Sequence, residues 1–109
     1  MELTASEKHI IEEFKRQVED QFPGELVRLV IFGSKARGDA TRESDLDVLV
    51  IIRSEDWKLG DQIRSLGYAL ELERGVVVSI QVMSERYYEE LRERGSQFLK
   101  AVEREGATV

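Results

Sequence analysis

Hydrophobic positions along the chain recur at two spacings, three to four residues in some stretches and two in others, and the switches between them predict its elements. Ile10, Ile11, Phe14 and Val18 fall at helical steps behind Thr4 and Glu7, which have capping-box spacing, and Phe22-Pro23-Gly24 stops the run. A first helix is therefore expected over Ser6 to Gln21. The stretch ELVRLVIF, dense in branched aliphatic residues, reads as a strand ending at Gly33. The glycine-rich turn GSKARG comes next, and LDVLVII, from Leu46 to Ile52, reads as a second strand. Ser54 is the expected N-cap of a helix that carries Trp57, Leu59, Ile63, Leu66 and Leu70 and closes at Gly75. VVVSIQVM is the third strand. Ser84 caps a helix with Tyr87, Tyr88 and Leu91, Gly95 breaks it, and a last short helix holds Phe98 and Val102 before Gly106.

The resulting order, αβ(turn)βαβαα, predicts an α/β (α+β) fold: a small mixed sheet of about three strands with helices packed on it. The second and third strands, joined by a helix, should be parallel with a right-handed crossover. The link between the first and second strands leaves their direction open. With 109 residues, the chain is expected to form a single domain, 1–109, around one modest core.

Composition narrows the function classes. With 41% hydrophobic and 35% charged residues and a single proline, the chain is not a disordered or low-complexity sequence. The absence of cysteine rules out disulfides and thiolate metal sites. Neither a signal-peptide pattern nor a stretch of roughly 18 apolar residues is present, so a cytoplasmic protein without membrane association is expected. Twenty-two acidic against sixteen basic side chains give a net charge of -6, which argues against direct binding of long nucleic acid.

Against that background two acidic residues stand out. Asp45 and Asp47 flank Leu46 at the head of the second strand. Alternation puts both on one face, with Leu46, Val48, Val50 and Ile52 on the opposite, core face. Two carboxylates so spaced can converge on one divalent cation or flank a pair, the arrangement that clamps the attacking and leaving oxygens of a phosphoryl displacement. Oxygen ligands favour Mg²⁺ or Mn²⁺ over zinc. The plainer alternative is that Asp45 caps a turn while Asp47 faces solvent.

The turn before them adds phosphate chemistry. Gly33 allows a sharp change of direction and close approach of backbone N–H groups to a ligand, and Ser34 can open a short helix whose first N–H groups form an anion site. Arg37 has the planar fork that grips two phosphate oxygens, whereas Lys35 is expected to be solvated. GSKARGDA is not a P-loop, because Asp39-Ala40 stand where that motif requires Lys and a hydroxyl. The string Arg37-Gly38-Asp39 is taken as coincidence, and DLDVLV lacks the downstream oxygen ligands of a calcium loop.

Gly33-Ser34, a ten-residue spacer and Asp45-Leu46-Asp47 on the next strand resemble the signature of the DNA polymerase beta-like nucleotidyltransferase superfamily. The stretch GSKARGDATRESDLDVLV is similar to the minimal nucleotidyltransferases in particular, which are single small domains. The resemblance implies transfer of a nucleotidyl group from an NTP, usually ATP, to a hydroxyl, with release of pyrophosphate. It implies that Gly33 and Ser34 hold the outgoing phosphates, that Asp45 and Asp47 bind the metals, and that Arg37 supports the loop or the triphosphate. It further implies a helical HEPN-domain partner in a toxin–antitoxin pair, with a tyrosine of the toxin as an AMP acceptor. Homo- or hetero-oligomers are both compatible with it.

One departure sets a rival reading beside this one. Many members of the superfamily carry a third carboxylate on the neighbouring strand, where it helps deprotonate the acceptor. Here Ser79 or Gln81 stands there, and neither is a base near neutral pH. Glu85 or Glu73 could reach in, a partner could complete the site, or the chain could be a nucleotide-binding antitoxin that neutralises its partner by binding alone. Tyr87 and Tyr88 are expected to divide between rim and core, Trp57 to serve packing or an interface, and His9 to lie exposed.

Overall fold

In the computed structural model, which describes residues 3–38 and 45–109, the chain folds as two helical layers around one sheet. Residues 39–44, most of the spacer before Asp45, lie outside the described residues, as does Asp39 of the Arg-Gly-Asp string. The elements are α1 (Ala5–Gln21), β1 (Leu26–Phe32), α2 (Ser34–Arg37), β2 (Leu46–Ile52), α3 (Trp57–Arg74), β3 (Val78–Ser84), α4 (Glu85–Glu93), α5 (Gln97–Glu105) and β4 (Ala107–Thr108). The sheet order is β3-β2-β1-β4: β2 and β3 are parallel, as the intervening helix requires, and β1 runs antiparallel to both β2 and β4. The sheet is mixed, as expected, and β4 is an addition to the three expected strands. Two residues are too short to show a period-two pattern, and Gly106, which ends α5, was legible only as a stop.

Local chemistry explains most boundaries. Thr4 Oγ1 accepts from the Glu7 N–H at 3.1 Å while Glu7 Oε1 accepts from the Thr4 N–H at 2.9 Å, completing the expected capping box. At α3 the expected cap moves two residues on. Ser54 Oγ accepts from the Asp56 N–H at 3.0 Å, and Asp56 Oδ1 accepts from the Lys58 N–H at 2.9 Å, so Asp56 is the N-cap. Gly75, at φ 70°, closes α3, and Ser84 caps α4 through the Tyr87 N–H.

The sheet is covered on both sides, which corrects the expectation of a single core face. Val48, Val50 and Ile52 join Leu29, Ile31 and Ile80 against α1 and α3. Leu49, Ile51 and Val30, pointing the other way, pack against Tyr88, Leu99 and Val102 of α4 and α5. Strands buried on both faces read as continuous apolar runs, which is what LDVLVII is. The Asp47 side of β2 is therefore open only at its head, before Leu49 goes under the helices. Tyr88 is buried and Tyr87 exposed, His9 is exposed, and Trp57 is exposed rather than packed. Among the described residues no helix is long and apolar enough to cross a membrane.

Candidate active site

The site is assembled where β1 ends and β2 begins. Antiparallel register pairs Phe32 with Asp47, so the residue that follows Phe32 arrives beside the Asp47 side chain. That residue is Gly33, at φ 78° and ψ -157°, a backbone region open essentially to glycine alone. A β-carbon there would also overlap Asp47 Oδ2. Both requirements fall on one position, and both come from bringing the turn against the carboxylate.

From Gly33 the chain enters α2, a single turn closed by Arg37 N–H to Gly33 O at 3.1 Å and Gly38 N–H to Ser34 O at 3.0 Å. The short helix expected to open at Ser34 is present. Arg37 is half-exposed, pairs with Glu105 at the end of α5 across 3.3 Å, and acts electrostatically on Asp47. Lys35 is not solvated, contrary to expectation. Its Nζ lies 2.8 Å from Glu7 Oε2, with both side chains about nine-tenths buried. A residue on the inner side of a one-turn helix cannot be told from its outer neighbours by spacing, so the sequence had no signal for this.

Asp45 is exposed just before β2, and Asp47 is half-buried within it. Burial, then the charge of Asp45, push the Asp47 carboxyl above its ordinary range, and Arg37 offsets part of the rise. Two carboxylates in mutual repulsion are an all-oxygen donor set with surplus negative charge, which a hard divalent cation would relieve, so these residues fit such an ion. Ser79 is the parallel register partner of Asp47, and Gln81 that of Leu49. Of the two positions considered for a third acid, Ser79 is thus the one adjacent to the site, while Gln81 lies farther along and is exposed. Glu85 follows Ser84, the partner of Ile52 at the far end of β2, about 17 Å along the strand from Asp47. Glu73 belongs to α3, on the other layer. Among the described residues no group of three acidic or histidine side chains could hold a metal.

The nucleotidyltransferase domain family matches residues 11–104, from the middle of α1 nearly to the end of α5. The chain belongs to this family. A relative from Methanocaldococcus jannaschii, named as a candidate protein adenylyltransferase, is 36% identical over 83 residues, covering 76% of this chain and 79% of the relative. Two crystal structures share the fold of this nucleotidyltransferase. One, of a toxin–antitoxin with AMP-PNP, superposes with a TM-score of 0.52 at 20% identity over 89% of this chain and 69% of the other. The second, of the toxin–antitoxin pair MntA-HpeT in a mutant form, gives 0.50 at 22% identity over 99% of this chain and 72% of the other. The mixed sheet with its helices is the polymerase beta-like nucleotidyltransferase fold.

Proposed function

We propose that this nucleotidyltransferase moves AMP from ATP onto a hydroxyl of a protein, a tyrosine of a helical HEPN-type partner, and serves as the antitoxin of that pair. The observation that carries the reading is the contact of Gly33 with Asp47, which sets the Gly33-Ser34 turn directly against the carboxylate at the head of β2. The name of the M. jannaschii relative supports protein adenylylation, and the toxin–antitoxin neighbours support the partner class.

In this reading Gly33 and Ser34 hold the β- and γ-phosphates, which leave as pyrophosphate when the acceptor oxygen bonds to the α-phosphorus. Arg37 supports the triphosphate from the side of α2. Asp45 and Asp47 would hold Mg²⁺ or Mn²⁺, which supplies charge neutralisation at the phosphates when bound. Neither Ser79 nor Gln81 can take the acceptor's proton at neutral pH, so turnover by the isolated chain is slow and the partner's own surroundings activate its hydroxyl. The same missing acid favours a second reading, an antitoxin that holds metal and nucleotide and neutralises by binding alone.

Transfer of label from α-labelled ATP with Mg²⁺ or Mn²⁺ separates the two, comparing wild type with Asp45→Ala/Asp47→Ala, each with and without the HEPN-type protein encoded beside it. Label on the partner that disappears in the double variant establishes transfer. A tight complex without label, unaffected by the double variant, leaves only neutralisation by binding.

A further inference from the structure

The turn that carries Gly33 and Ser34 cannot hold itself in place. One helical turn with two backbone hydrogen bonds fixes several residues for little return, so an isolated α2 would not persist. Its placement depends on what its side chains grip. Ala36 packs against the core under α1, and Arg37 reaches Glu105 from an exposed position. Lys35 is held differently: its ammonium lies 2.8 Å from a Glu7 carboxylate oxygen, with both side chains about nine-tenths buried. The other oxygen of that carboxylate accepts the Thr4 N–H at 2.9 Å, and Thr4 in turn caps Glu7. Glu7 is therefore fixed in one rotamer by the helix end itself, and the Lys35 it holds adjoins Ser34. Arg37 lies on the solvent side of the same turn and Lys35 on the buried side.

We propose that Glu7 and Lys35 are positioning residues for the phosphate-binding turn: the start of α1 is the anchor that keeps Gly33 and Ser34 in register with Asp47. A buried ion pair suits this role because an apolar contact tolerates sliding, whereas two buried charges do not tolerate separation. The same burial excludes the Lys35 ammonium from direct phosphate contact. The inference rests on the reading of Gly33 and Ser34 as phosphate ligands.

The test uses Glu7→Gln, since glutamine at this position still completes the capping box while the oxygen that faces Lys35 is replaced by an uncharged amide nitrogen. Lys35→Met tests the other half, and Leu70→Ala, a core change in α3, serves as a stability control. Four quantities are measured: binding of a non-hydrolysable ATP analogue, KM and kcat for transfer to the partner, and hydrogen exchange of the Arg37 and Gly38 amides. Glu7→Gln and Lys35→Met are each expected to weaken analogue binding and raise KM about tenfold, to change kcat less than about twofold, and to speed exchange at both amides. Leu70→Ala is expected to lower the melting temperature without moving KM. If wild type binds the analogue and both charge variants bind it equally well with unchanged exchange, the positioning role is overturned while the phosphate reading stands. A KM rise in Leu70→Ala equal to theirs would also overturn it, by reducing the effect to general destabilisation. Failure of wild type to bind the analogue at all would sink the phosphate reading, and the inference with it.

Discussion

Gly33 stands directly against the Asp47 carboxylate, in a backbone conformation and a space that only glycine satisfies. Gly33→Ala must therefore either distort the turn or push Asp47 aside. The backbone strain alone is worth about 1–3 kcal/mol. Transfer activity is expected to fall at least about a hundredfold, because misplacement by an ångström is enough for that, with a lowered melting temperature. An assay of label transfer beside a thermal melt decides this, and a variant with wild-type activity would mean that Asp47 does not work where the structure puts it.

Asp47 carries a charge that the metal-free fold disfavours. Its carboxyl is raised by burial and by Asp45, so the folded chain holds the proton more readily than the unfolded one and loses stability as pH rises through the folded value. Asp47→Asn removes that cost. Without added metal its melting temperature at neutral pH should equal or exceed wild type, while transfer drops at least about a hundredfold. Addition of Mg²⁺ should raise the melting temperature of wild type and leave that of Asp47→Asn unchanged, and a chelator should abolish wild-type transfer.

Ser79 is the register partner of Asp47 on the adjacent parallel strand, so Ser79→Asp would supply the third carboxylate. With Mg²⁺ or Mn²⁺, transfer is expected to rise about tenfold or more, since a positioned base contributes on that scale or above. Without metal, a third carboxylate beside Asp47 should lower the melting temperature. Unchanged turnover in saturating metal would show that proton removal is not what limits this enzyme.

Glu7 gives the fold an acid-sensitive element. Burial alone would raise its carboxyl, but the Lys35 ammonium and the Thr4 N–H outweigh it and bring the carboxyl below the ordinary 4.5. A depressed folded value stabilises the protein fully above the unfolded value, and the contribution is lost as pH falls through the folded value. Unfolding free energies from urea titrations of wild type and Glu7→Gln should differ by about 3 kcal/mol at neutral pH and converge once the pH falls below the depressed folded value, where the carboxylate is protonated in both states of wild type. A difference that persisted undiminished at low pH would assign the stabilisation to packing rather than to charge.

Gly67 is a fifth point of dependence, and a purely structural one. It lies on the buried side of α3, and a β-carbon there would overlap Ile80 of β3. Gly67→Ala should lower stability by about 1–3 kcal/mol despite the better helix propensity of alanine, with KM for ATP unchanged. A melt and a Michaelis curve suffice to check it.

Periodicity and punctuation in the sequence determined the α/β order, the capping box at Thr4 and Glu7, the end of α3 at Gly75 and the span of β2, because these depend on neighbours a few residues apart. The turn and the acidic pair were legible for the same reason: a Gly-Ser pair after a strand and Asp-Leu-Asp at the head of the next are local patterns. Only the tertiary structure decided that Lys35 turns inward to Glu7, that Ser79 rather than Gln81 is Asp47's neighbour, that α4 and α5 bury the second face of β2, and that Ala107–Thr108 adds a strand. Each of these joins residues far apart in the chain, and strand register and helix docking are set by how side chains fill the space between layers, which no single segment specifies on its own.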